Sequence, residues 1–511
     1  MIPVLDGGGM READRQTIVE LGVPSLVLME SAASGVTEVV SERFPAAVSV
    51  AIVCGPGNNG GDGLAVARQL HCRGYEVAVA LVAAHRELTG DAAVQFELAR
   101  RFGVTLLDCS RATGSRVAAL VAGADVVVDA LFGTGLDRPL RGRWAEAVRV
   151  VNAGKSPVVA VDIPSGLRGS SGEIPAVAVT AAATVTFGAP KLAHVLPPAC
   201  WRCGDVAVAD IGIPPWVVER QAAVGVVESE DVGAWLPARP PDAHKGRFGH
   251  LLVVAGREGR AGAAALAARA GVALGAGLVT VATVRAAVRP IQSLVPEAMV
   301  DPLPSGEDGA ATGEGIEAPL AKATAVAVGP GLGLGDGPRR LVETIVREWR
   351  GPLVLDADAL TLLAGRLETL RGRDPLPVLT PHPGELGRLL GVATAEVTRD
   401  RLAAATAAAA AAEAVVLAKG SRTVIAGGEG WSLINPTGTA GLASGGAGDV
   451  LTGAIGALLA QGVPPKEAAA AGAWLHGRAA ELAGERHAGA VPASALTRNL
   501  AKAETEVRRR R

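Results

Sequence analysis

The 511-residue chain is poor in aromatic residues, in cysteine and in net charge, and each shortage argues against a class of protein. Aromatic side chains make up 3% of the sequence, with a single Tyr, which disfavours a stacking platform for single-stranded nucleic acid. The formal net charge of −2 leaves no electrostatic footprint for DNA, RNA or an anionic membrane. We therefore expect neither a nucleic-acid partner nor a membrane partner.

The cysteines are sparse and odd in number. Five in a chain of this length do not form a disulfide framework, and such usage is typical of a reducing compartment. Cys200 and Cys203 form one C-x-x-C pair, but a zinc ribbon needs a second pair and a redox motif opens a helix after a strand. We interpret the pair as inert. Residues 1–10 carry no basic and apolar segments of a secretory signal, so the sequence predicts a cytoplasmic protein, and Arg508–Arg511 is interpreted as a solvated end.

Length and composition predict more than one hydrophobic core. Hydrophobic residues make up 49% and charged residues 20% of the chain, as in globular proteins, and 511 residues exceed one ordinary domain. Prolines cluster between residues 213 and 243, which is typical of a connector. We predict two domains, 1–222 and 228–505, with different folds because no repeat crosses the boundary.

The first half alternates short apolar runs with helical patterns. Unbroken Val, Ile, Leu and Ala runs are typical of parallel strands buried on both faces, so a Rossmann-like, doubly wound α/β domain is predicted. The predicted strands are Val48–Val53, Val77–Val82, Val104–Leu107, Asp125–Asp129, Val158–Asp162 and Thr184–Phe187. The predicted helices between them are Leu64–Arg73, Asp91–Phe102 and Trp144–Ala153.

Polar and glycine-rich segments follow three of these strands. The loop Gly55–Gly63 has the layout of a phosphate cradle at a helix N-terminus. It matches neither the G-x-G-x-x-G pattern nor the P-loop pattern, so an ordinary dinucleotide or nucleoside triphosphate site is not indicated. Asp129–Gly135 and Val161–Gly166 add carboxylates and a hydroxyl at the neighbouring strand ends. A tight structural turn is the alternative for the glycine loop.

Together with Phe187–Lys191, these segments resemble the NAD(P)HX epimerase family, also called the YjeF N-terminal domain family. The resemblance implies interconversion of the R and S forms of NADHX or NADPHX at C6 of the nicotinamide ring. It implies substrate contacts by Asn58, Asn59, Gly60, Gly61, Asp62, Gly133, Thr134, Gly135, Leu136, Asp137, Arg138, Pro139 and Asp162. It also implies a potassium ion on Asn59, Asp129 and Ser165, whose oxygen atoms suit a hard cation. The segment Leu28–Ala33 departs from the family pattern.

Asp162 is the candidate general acid/base of this half, because a carboxylate near the carbinolamine can move the proton as the hydroxyl leaves and returns, or as the ring opens. An Asp at a strand end can instead cap the following turn, and this alternative stays open.

The second half contains a second series of strands and helices and predicts another α/β domain. The predicted strands are Leu251–Ala255, Leu278–Val284, Ala325–Val328, Pro352–Leu355, Val378–Thr380, Ala414–Ala418 and Thr423–Ala426. Its sharpest motif is Gly445-Gly446-Ala447-Gly448-Asp449 before an apolar helix. Glycine amides at a helix N-terminus form an anion hole for phosphate, and an Asp in the first turn can take a proton from a hydroxyl beside that phosphate.

The motif resembles the ribokinase-like superfamily, and the accompanying segments resemble the ADP-dependent NAD(P)HX dehydratase family, or YjeF C-terminal domain. These segments are Val328–Gly333, Leu355–Leu360, Thr380–Glu385 and Lys419–Thr423. The resemblance implies a substrate site of Gly329, Gly331, His382, Pro383, Gly384, Glu385 and Asp449, with Asp449 as the catalytic base. It implies ADP binding by Lys419, Gly420, Ser421, Arg422, Thr423, Thr439, Ala440, Gly441, Leu442, Ala443, Ser444, Gly445, Gly446, Ala447 and Gly448.

Three expectations complete this site. Magnesium is expected with the nucleotide, because phosphate charge must be neutralised during transfer. His382 could be a turn residue satisfied by backbone, although its neighbours favour a substrate contact. Asp356 and Asp358 alternate along a strand end and are predicted to face opposite sides, so that both cannot enter one site.

The resemblances predict a bifunctional repair enzyme that epimerises NAD(P)HX and dehydrates the S form to NAD(P)H with consumption of ADP. One alternative is a kinase of a small alcohol or vitamin precursor with a non-catalytic first domain; another is a first domain that only binds. Joint retention of Asn59, Asp129, Asp162 and Ser165 weighs against a mere scaffold. The preference between NADHX and NADPHX stays open, as does the oligomeric state, a homo-oligomer included.

Overall fold

The computed structural model describes residues 1–484 and 489–509 and divides into two compact units, one of Ile2–Val224 and the other mainly of Gly225–Arg511. Domain limits at 1–222 and 228–505 stay a prediction. Arg510 and Arg511, in the run predicted to be a solvated end, lie outside the described residues. No helix in the described part of the chain has the length and apolarity needed to cross a membrane.

The first unit contains eight strands and eight α-helices within its described residues. The strands are β1 (Ile2–Val4), β2 (Ser49–Cys54), β3 (Glu76–Leu81), β4 (Thr105–Asp108), β5 (Val126–Ala130), β6 (Val158–Val161), β7 (Ala183–Phe187) and β8 (Asp205–Ala209). The helices are α1 (Gly7–Arg15), α2 (Ser25–Arg43), α3 (Asn58–Cys72), α4 (Gly90–Arg101), α5 (Thr113–Ala122), α6 (Gly142–Ala153), α7 (Leu192–Val195) and α8 (Pro215–Gln221).

Strands β2 to β8 form a parallel sheet in the order β4-β3-β2-β5-β6-β7-β8. Counted from β2, this is the doubly wound order, which reverses between β2 and β5. Ile52 packs with Leu64 of α3 on one face, and Val53 packs with Val148 of α6 on the other. Every β2 side chain after Ser49 is buried, which shows that helices cover both faces of the sheet at this strand. The predicted α/β class is confirmed.

The segment predicted as a glycine-rich loop is largely helical. Helix α3 begins at Asn58, so Asn58 to Asp62 form its first turn; the predicted start at Leu64 is wrong. A side chain at Gly60 would place its Cβ 2.0 Å from the carbonyl oxygen of Gly55. Glycine therefore lets the helix start directly against the end of β2, and tertiary packing outweighs its poor helix propensity.

The second unit has ten strands and twelve α-helices in the described part of the chain. Its strands are β9 (Val224–Val226), β10 (His250–Val254), β11 (Leu278–Val284), β12 (Met299–Leu303), β13 (Ala325–Val328), β14 (Leu353–Leu355), β15 (Val378–Leu379), β16 (Val415–Ala418), β17 (Val424–Ala426) and β18 (Ser432–Ile434). Its helices are α9 (Ser229–Trp235), α10 (Ala261–Ala273), α11 (Arg285–Leu294), α12 (Glu317–Leu320), α13 (Asp336–Glu348), α14 (Asp358–Leu362), α15 (Pro383–Leu390), α16 (Thr394–Arg399), α17 (Arg401–Ala412), α18 (Ala447–Ala460), α19 (Pro465–Gly484) and α20 (Ala493–Arg509).

The strands of this unit follow the order β9-β18-β17-β16-β15-β14-β13-β10-β11-β12. Neighbours from β16 to β12 are parallel, whereas β16, β17 and β18 form antiparallel pairs. The chain order reverses between β10 and β13, and crevices at such reversals are the usual ligand sites of open α/β sheets. The predicted second α/β domain is confirmed.

Candidate functional sites

In the first unit, the predicted substrate and potassium residues follow the carboxyl ends of β2, β5 and β6. Asn59 and Asp62 lie on the first turn of α3, Asp129 lies near the end of β5, and Asp162 directly follows β6. Strands β2 and β5 flank the reversal of strand order. Parallel strands bring these ends to one edge, which is why residues distant in sequence share a crevice.

Asp162 is held by a buried ion pair. Its Oδ1 accepts hydrogen bonds from Lys191 Nζ at 2.7 Å and from Thr186 Oγ1 at 3.1 Å. The Lys191 side chain is wholly buried and also donates to Thr186 Oγ1 and to the Phe187 carbonyl. The side-chain partners of Asp162 in the described chain are thus not the amides of the following turn. Asp162 also has a φ of +62°, a conformation that non-glycine residues seldom adopt outside special sites.

Three carboxyl groups in this part of the first unit, Asp162, Asp62 and Asp14, have divergent pKa values. Burial would raise the pKa of Asp162, but the charge and hydrogen bond of Lys191 hold it below its usual value. Burial raises the pKa of Asp62 well above its ordinary value, and the charge of Asp162 adds to the rise. Burial raises the pKa of Asp14, on α1, to about 6. Neighbouring carboxyl groups whose pKa values are pushed apart are the arrangement that acid–base catalysis uses.

Asn59 and Asp162 converge on Gly133. A Cβ placed on Gly133 would lie 3.1 Å from Asn59 Oδ1 and 3.2 Å from Asp162 Oδ2. The side-chain Nδ2 of Asn59 is buried and has no hydrogen-bond partner among the described residues. A buried amide without a partner is costly, so this group points to a ligand that would satisfy it.

Asp129 and Ser165, two of the three predicted potassium ligands, lie together. Ser165 donates from its hydroxyl to Asp129 Oδ1 at 2.7 Å and from its amide to Oδ2 at 2.8 Å. Burial raises the pKa of Asp129 to about 6, although these hydrogen bonds oppose the rise. Asn59, described in the same structure, makes no hydrogen bond with either residue. The donor set is all oxygen and fits a hard cation, and the set of three ligands stays a prediction.

The other predicted substrate residues are placed as follows. Gly60 and Gly61 are buried in the first turn of α3. Gly133–Pro139 follows β5, with Gly135, Asp137 and Arg138 exposed. In the variant segment Leu28–Ala33, Glu30 accepts hydrogen bonds from α3 and α4, which gives that helix a packing role.

In the second unit, Lys419 and Asp356 form the centre of the predicted nucleotide site. Lys419 Nζ lies 2.5 Å from Asp356 Oδ1, and the Thr452 hydroxyl of α18 donates to Oδ2 of the same carboxylate. A Cβ on Gly448 would lie 3.4 Å from Lys419 Nζ. The ammonium group therefore faces the glycine motif, where it can meet a phosphate.

The strand alternation that was expected to place Asp356 and Asp358 on opposite sides does not hold, and whether both enter one site stays a prediction. Strand β14 ends at Leu355, and Ala357 has a φ of +48°, so strand alternation does not continue into this pair. Burial raises the pKa of Asp449 to about 6, Asp356 and Asp358 both add to the rise, and Lys419 opposes it. Both carboxylates thus act electrostatically on the predicted base.

The glycine motif forms the beginning of α18, which starts at Ala447, inside the motif rather than after it. Gly446 has a φ of +89°, a left-handed conformation that favours glycine. Gly448 has no left-handed backbone and faces Lys419. The side chain of Asp449, in the first turn, makes no hydrogen bond within residues 1–484 and 489–509, which leaves its carboxylate available to a ligand.

His382 is satisfied by neighbouring backbone, which is the alternative to a substrate contact that the sequence leaves open. Its Nδ1 accepts hydrogen bonds from the amides of Gly384 at 3.0 Å and Glu385 at 3.3 Å, so it caps α15. Burial lowers its pKa, and the charge of Lys419 lowers it further. About half of the side chain is exposed, which leaves a surface for the predicted substrate contact beside the cap.

The remaining predicted residues surround the same edge of the sheet. Gly329 and Gly331 follow β13, and Pro383 begins α15. Lys419, Gly420, Ser421, Arg422 and Thr423 join β16 to β17. Thr439, Ala440, Gly441, Leu442, Ala443, Ser444 and Gly445 precede α18 and include a short 3-10 turn capped by the Thr439 hydroxyl.

Sequence reasoning missed several residues of these sites. Lys191 stood inside a quoted motif, yet no pattern indicated that its ammonium would pair with Asp162. Asp14 lies on a helix that was not predicted. His476 lies under the glycine motif, 2.9 Å from the Ala447 carbonyl; a lone His on an alanine-rich helix offers no signal.

Nothing in the described chain forms a protein-only metal cage: no three His, Cys, Asp or Glu side chains group around a common point. Magnesium in phosphoryl-transfer sites is commonly held by substrate phosphates, water and one or two carboxylates. The carboxylates facing the glycine motif fit that pattern.

Comparisons with known proteins match the two halves of the chain to two different family models. Residues 25–193 match the family model described as YjeF-related protein N-terminus, and residues 251–502 match the model described as NAD(P)H-hydrate dehydratase. The chain is 41% identical over 487 residues to a bifunctional NAD(P)H-hydrate repair enzyme Nnr from Moorella thermoacetica, with 93% of this chain and 91% of that protein covered. It is 35% identical to the protein of that name from Escherichia coli, with 93% and 89% covered.

Among solved structures, the crystal structure of an ADP/ATP-dependent NAD(P)H-hydrate dehydratase from Bacillus subtilis, co-crystallised with ATP and Mg²⁺, is 34% identical to this chain. It matches with a TM-score of 0.50 and covers 56% of this chain and 99% of its own.

Proposed function

The chain belongs to the family of bifunctional NAD(P)H-hydrate repair enzymes, and from that premise we propose how its residues carry out the two reactions. The first unit epimerises the R and S forms of NAD(P)HX. The second dehydrates the S form to NAD(P)H with consumption of ADP. The observation that best supports this division is the presence of two separate sites, one around Asp162 and Lys191 and one around Asp449 and Lys419.

In the first unit, Asp162 is the proton-transfer residue. Its Oδ1 is occupied by Lys191, so Oδ2, which lies towards Gly133 and Asn59, is the oxygen that meets the substrate. Asp162 Oδ2 accepts the proton of the C6 hydroxyl and passes it to the ring nitrogen as the bond from C6 to that nitrogen breaks and the ring opens; closure on the other face reverses these transfers and gives the other epimer. Asn59 Nδ2, buried without a partner among the described residues, donates to the bound substrate.

Potassium belongs to this proposal. Asp129 and Ser165 supply adjacent oxygen atoms at the end of β5 and after β6, and a cation there would let Asp129 stay ionised despite its burial. Asn59 Oδ1 is the third proposed ligand. Bound potassium would place a positive charge beside the substrate pocket.

In the second unit, Asp449 is the general base. Its carboxylate accepts the proton of the C6 hydroxyl of the S epimer, and the hydroxyl oxygen attacks the terminal phosphorus of the nucleotide. The bond from that phosphorus to the bridging oxygen breaks, so ADP leaves AMP. The phosphate ester at C6 then departs as phosphate, expelled by the lone pair of the ring nitrogen, and loss of a proton from C5 restores the C5–C6 double bond, which completes the dehydration.

The phosphates are held by the chain's own amides and by Lys419. Gly448 and Gly445 present backbone at the start of α18, and the Lys419 ammonium lies beside Gly448. Magnesium, when bound with the nucleotide, neutralises phosphate charge, with Asp449 facing the same phosphates. Asp356 holds Lys419 in place by the ion pair.

We also place the reaction in the cytoplasm, since the few cysteines indicate a reducing compartment. A kinase of a vitamin precursor would share the Asp449 chemistry, but it has no use for the complete set of residues in the first unit.

One incubation tests the two activities. The protein is mixed with R and S NADHX, with and without ADP, and NADH absorbance is followed. We expect both epimers to be recovered as NADH when ADP is present. Recovery of the S form alone would contradict the proposed epimerase, and recovery without nucleotide would contradict the proposed phosphoryl transfer.

A further inference from the structure

Two arginines lie at the reversal of strand order in the second unit and have no part in the proposed chemistry. Arg257 and Arg260 belong to the loop between β10 and α10, and β10 is one of the two strands that flank the reversal. The other strand, β13, leads into the loop that contains Gly331 and Gly333. Ligands of open α/β sheets bind in the crevice at such a point.

Both arginines contact the loop after β13. A Cβ on Gly333 would lie 3.3 Å from Arg257 Cδ and 3.6 Å from Arg257 Nε. A Cβ on Gly331 would lie 3.3 Å from Arg260 Cβ. The two loops are joined by the hydrogen bond from the Gly256 amide to the Pro330 carbonyl at 2.8 Å. Arg260 thus borders Gly331, which the family resemblance assigns to the substrate, and Arg257 borders Gly333 two residues further along the same loop.

The positive charge of this pair is not neutralised by hydrogen bonds or ion pairs. Within the described chain, neither guanidinium has a partner of either kind. Glu258 packs instead against Gly309, where a Cβ would lie 3.0 Å from its Oε2. The carboxylate of Asp358 accepts a hydrogen bond from the amide of Gly333, in the loop after β13, at 2.8 Å. Two adjacent arginines without partners, one half-buried and one exposed, suit an anionic ligand.

Helix α10 connects the arginines to the glycine motif. Arg260 immediately precedes α10, and Leu266 of that helix would lie 2.6 Å from a Cβ on Gly446 of the glycine motif. Five helical steps separate Ala261 from Leu266, about 7.5 Å at 1.5 Å per residue. The rise of α10 therefore separates Arg260 from the part of the helix that packs on the glycine motif.

We propose that Arg257 and Arg260 bind a phosphate group of the dinucleotide substrate in the second unit, an inference that rests on the proposed dehydration. The phosphate has two sources. The pyrophosphate is common to NADHX and NADPHX, whereas the 2′-phosphate belongs to NADPHX alone. Bidentate guanidinium contacts with phosphate are strong and directional, so the pair would set substrate affinity and, in the second case, the preference for NADPHX.

The test uses the full-length protein with Arg257→Gln, Arg260→Gln and the double variant. Arg350→Gln is the matched control, because Arg350 is exposed and precedes β14, at the opposite edge of the sheet. KM and kcat for S-NADHX and S-NADPHX are measured at saturating ADP, the Kd of NADPH is measured by fluorescence, and the Kd of ADP is measured by calorimetry.

We expect the double variant to raise KM about ten- to a hundredfold, the usual loss for charged hydrogen bonds, with kcat and ADP affinity within about twofold of the control. An increase for both substrates assigns the pyrophosphate; an increase for S-NADPHX alone assigns the 2′-phosphate. Unchanged KM and NADPH affinity, or a loss of ADP affinity instead, would overturn the proposal. Absence of dehydration in wild type would contradict the proposed function, and NADPH binding would still decide the role of the arginines.

Discussion

Lys191 Nζ lies 2.7 Å from Asp162 Oδ1, and the lysine side chain is completely buried. The pair gives the carboxylate a direction, because one oxygen is committed to the lysine and the other lies towards Gly133. A buried ion pair is weak evidence for stability, since desolvation offsets much of the attraction. Its value here is that it keeps Asp162 ionised beside carboxyl groups whose pKa values are raised.

The first prediction concerns Asp162→Asn. The amide cannot exchange the proton, so conversion of R to S should slow by about two to four orders of magnitude, the usual range for a lost acid or base. Dehydration of pure S substrate, carried out by the second unit, should be unchanged and serves as the internal control for folding. Unaltered epimerisation would show that Asp162 has a structural role only.

The second prediction concerns potassium. Asp129→Asn keeps the side-chain shape but removes the charge, so potassium binding and any potassium dependence of epimerisation should be lost. Ser165→Ala should weaken the ion less, because the neutral hydroxyl contributes no charge. The measurement is the epimerisation rate across a series of potassium concentrations at constant ionic strength. Identical salt response in wild type and Asp129→Asn would contradict the potassium assignment.

The third prediction separates base chemistry from nucleotide binding. Asp449→Asn leaves the glycine amides in place, so ADP affinity should stay within about threefold of wild type while turnover falls at least about a hundredfold. Gly448→Val should abolish ADP binding, because its Cβ would lie 3.4 Å from Lys419 Nζ in the phosphate position. Gly446 is a poorer choice, since a Cβ there would clash with Leu266 rather than enter the site. Calorimetry with ADP compares both variants; equal loss of binding would show that the Asp449 carboxylate is not simply the base.

The fourth prediction concerns the pH profile of dehydration. The base form of Asp449 is the deprotonated form, and burial raises its pKa to about 6, so kcat should fall as pH drops below about 6. The negative charge of Asp356 contributes to that rise. Asp356→Asn removes the charge and frees the Lys419 ammonium, so the acid limb should move to lower pH.

Asp358→Asn is the control for this profile, because Asp358 raises the pKa of Asp449 less than Asp356 does. Its acid limb should move in the same direction by a smaller amount. An acid limb that stays in place in Asp356→Asn, or moves to higher pH, would show that another group titrates.

Local signals in the sequence located most strands and both glycine motifs. The strands Leu278–Val284 and Ala325–Val328 were predicted with their observed ends. Short unbroken runs of apolar and β-branched residues are typical of strands buried on both faces. Helix starts inside glycine motifs were misplaced. Gly60 is tolerated in α3 only because it packs against Gly55, and no local pattern reports such a contact.

The sequence by itself determined the α/β class, the carboxyl-end segments that carry polar residues, and the family, because these depend on local composition and on motifs that recur in order. Only the tertiary structure decided which charges meet. Lys191 pairs with Asp162 across 29 positions, and Lys419 pairs with Asp356 across 63. Parallel strands bring separate strand ends to one edge of a sheet, so the partners of these buried carboxylates are set by strand order, which local residue patterns do not contain.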